Sequence, residues 1–349
     1  MAIQVWMFIG MSKIIMKSLA NKKTNGCSEN KDCSALGVLI SHVTISPVIL
    51  VLVAFRLKKT TRCMNMIVVL LLRCRYSRRL PVASFAVLVL MISMILKIGV
   101  SLNYSKQIFP IVFYAFYASF TCPLLIVHLV SIMCLVSQNS YEDINREMGI
   151  LCSLILKSER ALRLTSLMND HWFLEDFIEH ISNTFGAELL FIMMDIYIQL
   201  LLCFFILIWE NIVHKVNVDS FMYANVGIHI CIMAGNLIYL CHRCNATVKE
   251  SRRIIFEMHR LRCVLYDDPI GQAILKVFTL RVNSREVHIA VLKLFNINLP
   301  LLCGSASLMF TYFLVLVQFQ IDGYKHSSRE LNITKMDKCE KWPCISKGQ

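Results

Sequence analysis

The sequence lacks the motifs by which most enzymes and cofactor-binding proteins are identified. It contains no Ser-His-Asp order typical of hydrolases, no phosphate-binding loop and no paired carboxylates at catalytic spacing. One CxxC motif, Cys241 to Cys244, has no second pair that would complete a zinc site with four ligands. We therefore expect no enzymatic activity, no metal site and no cofactor.

Acidic side chains are scarce relative to basic ones. The chain has 23 Asp and Glu residues against 36 Lys and Arg residues, which gives a formal net charge of +13. An excess of basic residues can indicate nucleic-acid binding. Here, however, the basic residues cluster in the loops between apolar runs, as membrane insertion requires. We therefore expect no nucleic-acid partner.

Apolar residues are abundant instead. They make up 56% of the 349 residues, and the mean hydropathy is +0.59, whereas soluble domains have about 45–50% apolar residues. Several apolar runs reach the ~20 residues needed to cross a ~30 Å hydrocarbon core. No internal repeat or low-complexity tract is found. The sequence therefore predicts an all-α polytopic membrane protein, in contact with membrane lipid.

Apolar runs and the polar stretches between them divide the chain into seven segments. The N-terminal apolar patch precedes its lysines, the reverse of the order in a cleaved secretory signal, so we expect no cleavage. The predicted segments are an N-terminal segment (1–34), the first membrane spans (35–136), a cytoplasmic helical loop (137–185), the fifth and sixth spans (186–241), a cytoplasmic helical segment (242–298), the last span (299–320) and an extracellular tail (321–349).

The two polar segments carry apolar residues at helical spacing and opposite net charges. Residues 137–185 have eight acidic and four basic side chains, and residues 242–286 have nine basic and five acidic ones. We expect their helices to extend the membrane helices into the cytoplasm and to dock on each other. The alternative is two separately solvated loops. Arg252, Arg253 and Arg260 are the basic side chains whose charge reversal we choose as a test of this docking.

The last span, Leu299 to Gln320, has no charged side chain. A block of small residues, 304–307, allows close approach of a neighbouring helix. Thr311 and Gln318 are seven residues apart and share one helix face, and Tyr312 and Phe319 share the adjacent face. An amide group inside a membrane needs a partner or water, because an unsatisfied polar group in hydrocarbon is costly.

Thr311-Tyr312, five apolar residues and then Gln318-Phe319 resemble the signature of the insect gustatory receptor family, at the end of the last span. The rest of the chain resembles the family only in layout. The resemblance implies an insect chemoreceptor-like bundle of seven transmembrane helices in the plasma membrane, with a cytoplasmic N-terminus and an outward C-terminus. It also implies a tetrameric, ligand-gated cation channel, formed with identical or related subunits, that detects small-molecule tastants in chemosensory neurons.

On this resemblance the four motif residues, Thr311, Tyr312, Gln318 and Phe319, line the pore and form its gate. A different interpretation uses only general membrane-protein patterns. In it, Gln318 marks the end of a helix near the interface, and Phe319 is an interfacial aromatic residue.

The second span of the family is short in this chain. Met64 to Leu72 is mostly apolar but covers half the length needed to cross, and basic clusters flank it on both sides. The distribution of Lys and Arg fits a crossing segment and a non-crossing one almost equally well. Whether this segment crosses stays open, as does whether the chain is a functional or a degenerate family member.

A tastant pocket is predicted between the outer halves of the helices. Sites of this kind are mostly apolar with a few polar groups, which Tyr, Trp and His supply. The same residues also suit bundle packing and an interfacial aromatic belt. The class of ligand stays open. The candidate ligand-binding residues are Tyr114, Tyr117, Trp209, Tyr223 and His229.

Two further polar sites stand out. Asp195 is the most notable ionisable group inside a span, where such groups are either functional or paired within the bundle; we favour pairing. Asn332 begins an Asn-Ile-Thr sequon far from the bilayer, so an outward C-terminal tail would allow its glycosylation.

The two rival classes are a G-protein-coupled receptor and a membrane transporter. The first would have the opposite orientation, and the chain has no D-R-Y after the third span and no N-P-x-x-Y in the last. Transporters tend toward internal repeats and several buried ionisable groups, and here Asp195 alone stands out. We therefore favour the channel.

Overall fold

A computed structural model of the chain describes residues 48–49, 51–73, 110–151, 157–209 and 220–319. Most of this is α-helix, with one small hairpin. Residues 48–49 and 51–55 are helical and lead into the first named element. The elements are α1 (Leu57–Arg73), α2 (Pro110–Leu151), α3 (Lys157–Trp209), α4 (Ser220–Val264), α5 (Pro269–Ser284), β1 (Ala290–Val291), β2 (Phe295–Asn296) and α6 (Leu299–Phe319).

Part of the predicted layout lies outside these residues. The N-terminal segment, much of the region predicted to hold the first membrane spans (35–136), and the tail at 321–349 are not described. Four of the described helices, α2, α3, α4 and α6, contain an apolar stretch long enough to cross a membrane. The all-α membrane architecture expected from the sequence is therefore present.

Helices α2, α3 and α4 are much longer than a bilayer requires. They have 42, 53 and 45 residues, whereas ~20 residues at ~1.5 Å rise cross the hydrocarbon. The extra length is the polar part of each helix. The prediction that the polar segments continue the membrane helices is thus confirmed.

The polar ends of these helices share one apolar core. On α2 the buried side chains recur at helical spacing, as predicted, and so do those of α3 and α4. The fully or almost fully buried residues include Ile144, Met148, Phe177, Ile181, Ile254, Met258, Leu261 and Leu265. These ends are therefore packed together rather than separately solvated.

Charged pairs join the two polar segments, and the predicted docking is confirmed. Arg281 of α5 lies 3.2 Å from Glu175 of α3, and Arg285 lies 2.9 Å from Asp176. Glu179 also pairs with Arg285. The acidic side of this contact is on α3 and the basic side is on and just after α5.

The choice of arginines for this contact was wrong. Arg252 pairs with Glu286, and Arg253 pairs with Glu250, so both bind acidic residues of their own segment. Arg260 is exposed. These side chains lie on the outer face of α4, because its inner face is filled by the apolar stripe.

Helix α1 packs beside the polar parts of α2 and α3. Three buried side chains form its inner face: Cys63, Ile67 and Leu70. The Cys63 thiol lies 3.6 Å from the Thr184 hydroxyl, and Leu70 lines a cleft together with Ile144 and Leu167. Because its partners belong to the polar segment, this packing supports the interpretation in which Met64–Leu72 does not cross the membrane.

A cap, a hairpin and a second cap connect α5 to α6. Asp268 caps α5, since its carboxylate accepts a hydrogen bond from the Gly271 N–H at 3.1 Å and Pro269 follows it. The hairpin pairs Ala290 with Asn296 and Val291 with Phe295. The hairpin therefore separates α5 from the last span, α6. Pro300 lies in the first turn of α6, where proline is tolerated.

Candidate functional site

The last helix, α6, touches its own chain along one stripe. The Tyr197 hydroxyl of α3 donates a hydrogen bond to the Ser305 hydroxyl at 2.6 Å. Further along, the rings of Phe204 and Phe313 meet edge to face with centroids 6.4 Å apart. The rest of α6 is exposed in the single chain. None of the residues in its apolar stretch is buried, whereas 72% of those in the apolar stretch of α2 are.

All four motif residues, Thr311, Tyr312, Gln318 and Phe319, are exposed on α6. The Thr311 hydroxyl donates to the Ser307 carbonyl of its own helix at 3.0 Å. Thr311 and Gln318 lie on the side of α6 away from the Phe313 contact, since successive residues turn by ~100°. The motif therefore faces whatever surrounds the chain.

A chain of buried polar groups joins α3 to α4 inside the apolar region. The Gln199 amide donates to the Asp195 carboxylate at 2.6 Å, and the Gln199 oxygen lies 3.0 Å from Nε2 of His229. All three side chains are buried. Within the described residues, the second carboxylate oxygen of Asp195 has no partner. Asp195 is thus a hydrogen-bond partner within the bundle, and His229 belongs to the same network.

The predicted pocket residues lie toward one end of the bundle. Tyr114 and Tyr117 are near the start of α2, Trp209 ends α3, and Tyr223 is near the start of α4. Tyr223 is half-buried. For Tyr114, Tyr117 and Trp209 the described part covers the helix backbone and not the side chain. Asn332 lies outside the described residues.

Two open clefts, each with a volume of about 560 Å³, lie at the opposite, polar end. One is between α3 and the hairpin, and the other is between α1, α2 and α3. Neither coincides with the predicted pocket.

The polar end also holds a buried ionisable group that the sequence analysis missed. His171 is packed between the rings of Tyr141 and Phe278, at centroid distances of 5.2 and 5.3 Å. Burial, and then the positive charge of Arg281, lower the pKa of His171 to about 4. The imidazole is therefore neutral near neutral pH.

Glu175 lies one turn along α3 from His171 and is almost fully buried. Burial raises the pKa of the Glu175 carboxyl, and the hydrogen bond from Arg281 acts against this rise. The spacing of four residues between His171 and Glu175, inside an apolar helical stripe, is the signal that could have pointed to this cluster.

Comparison with known proteins agrees with this architecture. The family described as 7tm chemosensory receptor matches residues 34–323. The gustatory receptor for sugar taste 43a of Drosophila melanogaster is 24% identical over 161 residues, which are 46% of this chain. The matched region spans only 37% of the length of that relative.

Solved structures of the insect olfactory receptor OR5 from Machilis hrabei are similar in fold. One has a TM-score of 0.65 at 12% identity, covering 91% of this chain and 88% of that one. A second, of the same receptor in complex with eugenol, has a TM-score of 0.63 with the same identity and coverage. Since the family match extends over most of the sequence, from residue 34 to residue 323, the chain belongs to the 7tm chemosensory receptor family.

Proposed function

We propose that this chain is a subunit of a ligand-gated cation channel that detects small-molecule tastants at the plasma membrane of chemosensory neurons. The observation that carries the proposal is α6. This helix is apolar enough to cross a bilayer and ends in the Thr311, Tyr312, Gln318 and Phe319 motif. Its own chain nevertheless buries none of the residues in its apolar stretch.

The polar face of α6 needs water or protein around it. Lipid can cover the apolar residues of this helix, but it offers no hydrogen-bond partner to an exposed amide such as Gln318. A ring of α6 helices around a water-filled path satisfies both requirements. In this arrangement Gln318 and Phe319 form the gate, with Thr311 and Tyr312 two turns away.

An exposed apolar face of α5, at the polar end, supports assembly with other subunits. We propose four subunits, identical or related. Ile270, Val277 and Leu280 lie on one face of α5, and each is more than half exposed in the single chain. Leu275 and Phe278 on the opposite face are buried in the chain's own core. An apolar face of this kind marks a protein contact, and it lies outside the apolar region that lipid covers.

The comparisons favour a small organic ligand. The solved complex of the olfactory receptor contains eugenol, and the name of the Drosophila relative refers to sugar taste. Sugars are therefore the first class to test. We place the site at the end of the bundle that carries Tyr114, Tyr117, Trp209 and Tyr223, with His229 deeper along α4.

The proposal is tested by expressing the full chain in cells and recording currents. The panel contains glucose, fructose, sucrose, trehalose, caffeine and quinine. We expect at least one compound to evoke a cation current. Replacing the amide with an apolar side chain of similar size, Gln318→Leu, should change the single-channel conductance about two-fold or more, because the gate loses its polar lining.

Phe310→Leu is the control, because it alters an exposed residue of α6 that lies about 90° around the helix from Thr311 and Gln318, with its ring against Phe313. This control should keep the wild-type conductance. A Gln318→Leu channel with normal conductance and normal gating would show that this residue does not line the pore.

A further inference from the structure

The hairpin between α5 and α6 rests directly on the backbone of α3 at Gly186. A Cβ atom at this position would lie 2.9 Å from the Leu292 nitrogen and 3.5 Å from the Ala290 carbonyl oxygen. Both atoms belong to backbone, so neither can rotate away as the end of a flexible side chain could. Only glycine lets the two elements approach this closely.

The hairpin is held in one conformation. Ala290 and Val291 are buried, and the Ala290 N–H donates to the Ser182 hydroxyl of α3 at 3.3 Å. Its turn places two residues without glycine's freedom, Leu292 and Lys293, at φ values of 50° and 62°. Such conformations are unfavourable, and they persist where the surrounding contacts fix the chain. The contact with α3 is therefore specific rather than incidental.

The hairpin in turn fixes the base of α6. The Ile297 N–H donates to the Ile289 carbonyl at 2.9 Å, which closes the hairpin. Two residues later α6 begins, and the Asn298 side chain accepts a hydrogen bond from the Leu301 N–H at 2.9 Å. The distance along the chain from the hairpin to α6 is too short for α6 to shift its base independently.

Residues 182–188 of α3 are also bound on the opposite face, by the segment before α1. The Arg56 guanidinium donates to the Thr184 carbonyl at 2.9 Å and lies 3.4 Å from the buried carboxylate of Glu188. Thr184 and Glu188 lie on the face of α3 opposite Ser182 and Gly186, by the ~100° turn per residue. At residues 182–188, α3 is therefore enclosed between the segment before α1 and the hairpin.

We propose that Gly186 is a positioning residue of the channel, which seats the hairpin on α3 so that a movement of α3 changes the tilt of α6. The inference rests on the proposed channel function. Above the hairpin, α6 contacts α3 through Ser305 and Phe313. Because the hairpin fixes the base of α6, its contact with Gly186 is the pivot about which α6 turns, and Ser182 holds the hairpin in register.

The experiment compares three variants of the full chain. Gly186→Ala adds a methyl group at the contact between α3 and the hairpin. Gly235→Ala is the matched control, because it adds the same methyl group to α4 with no atom within 4 Å. Ser182→Ala removes the hydroxyl that binds the hairpin and adds no volume, so it serves where Gly186→Ala does not reach the cell surface.

Two readouts separate this inference from the proposed function. Hydrogen exchange on the purified protein needs no channel activity. We expect the amides of 289–297 to exchange about ten-fold faster in Gly186→Ala and unchanged in Gly235→Ala. In cells, with the panel compound that evokes the largest wild-type current, the half-maximal concentration should shift about five-fold or more at unchanged single-channel conductance.

Each outcome has a defined meaning. Faster exchange together with shifted ligand sensitivity supports the pivot. Faster exchange with wild-type ligand sensitivity overturns the pivot, since the contact at Gly186 would then have a structural role only. Unchanged exchange in both Gly186→Ala and Ser182→Ala also overturns it. If the wild type gives no current with any compound, the proposed function fails, and the exchange result alone decides whether Gly186 seats the hairpin.

Discussion

At the scale of single residues, a buried carboxylate on α3 joins that helix to α5. Glu175 is almost fully buried and pairs with Arg281, whose guanidinium also stacks 4.2 Å above the Trp172 ring. Arg285 makes two ion pairs nearby, but its partners Asp176 and Glu179 are about half exposed. Pairs exposed to this degree are worth about 0–1 kcal/mol, whereas leaving a buried charge unpaired costs several kcal/mol.

The two arginines should therefore differ in effect. Arg281→Met leaves Glu175 buried without its partner and should lower stability by about 2 kcal/mol, toward the low side because Arg281 is partly exposed. Arg285→Met is the control and should change stability by less than about 1 kcal/mol. Thermal unfolding of the detergent-solubilised protein measures both. Adding Glu175→Gln to Arg281→Met should recover part of the loss; equal effects of the two arginine variants would contradict this ranking.

At this scale the sequence predicted a docking contact but not its members. The opposite charges of the two polar segments correctly indicated that they meet. A sum of charges has no direction, however, and Arg252 and Arg253 lie on a face of α4 that binds its own segment. The arginines that reach α3 do so because α4 ends at Val264 and a new helix starts at Asp268 and Pro269.

At the scale of elements, α5 has two apolar faces with different surroundings. Leu275 and Phe278 fill the core of the chain, while Val277 and Leu280 are more than half exposed. A helix in contact with water on one side would carry polar residues there. The exposed face therefore indicates a protein contact, which in the proposed channel is made with another subunit.

Charge on that face should prevent assembly without affecting the fold. We expect Leu280→Glu to shift the purified protein from tetramers to smaller species, because a carboxylate would be buried between subunits. Asn283→Glu, at an exposed position on the flank of the same helix, should leave the tetramer intact. Native mass spectrometry or mass photometry measures the change. A tetramer in both variants would place the subunit contact elsewhere.

Long helices were predictable, and the hairpin was not. The apolar periodicity of α2, α3 and α4 continues from the membrane region into the polar segments, so the sequence shows their extent. The hairpin has two strands of two residues each, with Leu292 and Lys293 in its turn in place of the usual Gly or Asn. Its shape comes from the contact with Gly186, which joins residues more than one hundred positions apart.

At the scale of the whole molecule, the orientation in the membrane distinguishes a channel of this family from a G-protein-coupled receptor. The proposed orientation puts the C-terminal tail outside and the polar ends of α2, α3 and α4 in the cytoplasm. Asn332 then faces the glycosylating compartment during synthesis, and Asn245, in the polar part of α4, does not.

Glycan mapping in cells should therefore find modification at Asn332 and none at Asn245. Asn332→Gln should remove the glycan-dependent mass shift on a gel, and Asn245→Gln should leave it unchanged. Modification of Asn245 would mean that the chain is inverted, and the channel arrangement of α6 would fail with it.

The family motif could be found from the sequence because its residues lie on one continuous helix. Thr311 and Gln318 share a face through helical spacing alone, and the structure keeps them exposed. The network of Asp195, Gln199 and His229 was only partly predictable, because it joins two helices and depends on their packing. Sequence spacing gives the direction of a side chain but not its partner on another helix.

Because most of α6 is exposed in the single chain, a newly made subunit is incomplete before it assembles. A single copy in the endoplasmic reticulum membrane would present the Gln318 amide to acyl chains, which offer it no hydrogen-bond partner. In the proposed channel, partner copies would remove that penalty, so assembly and escape from quality control would become the same event.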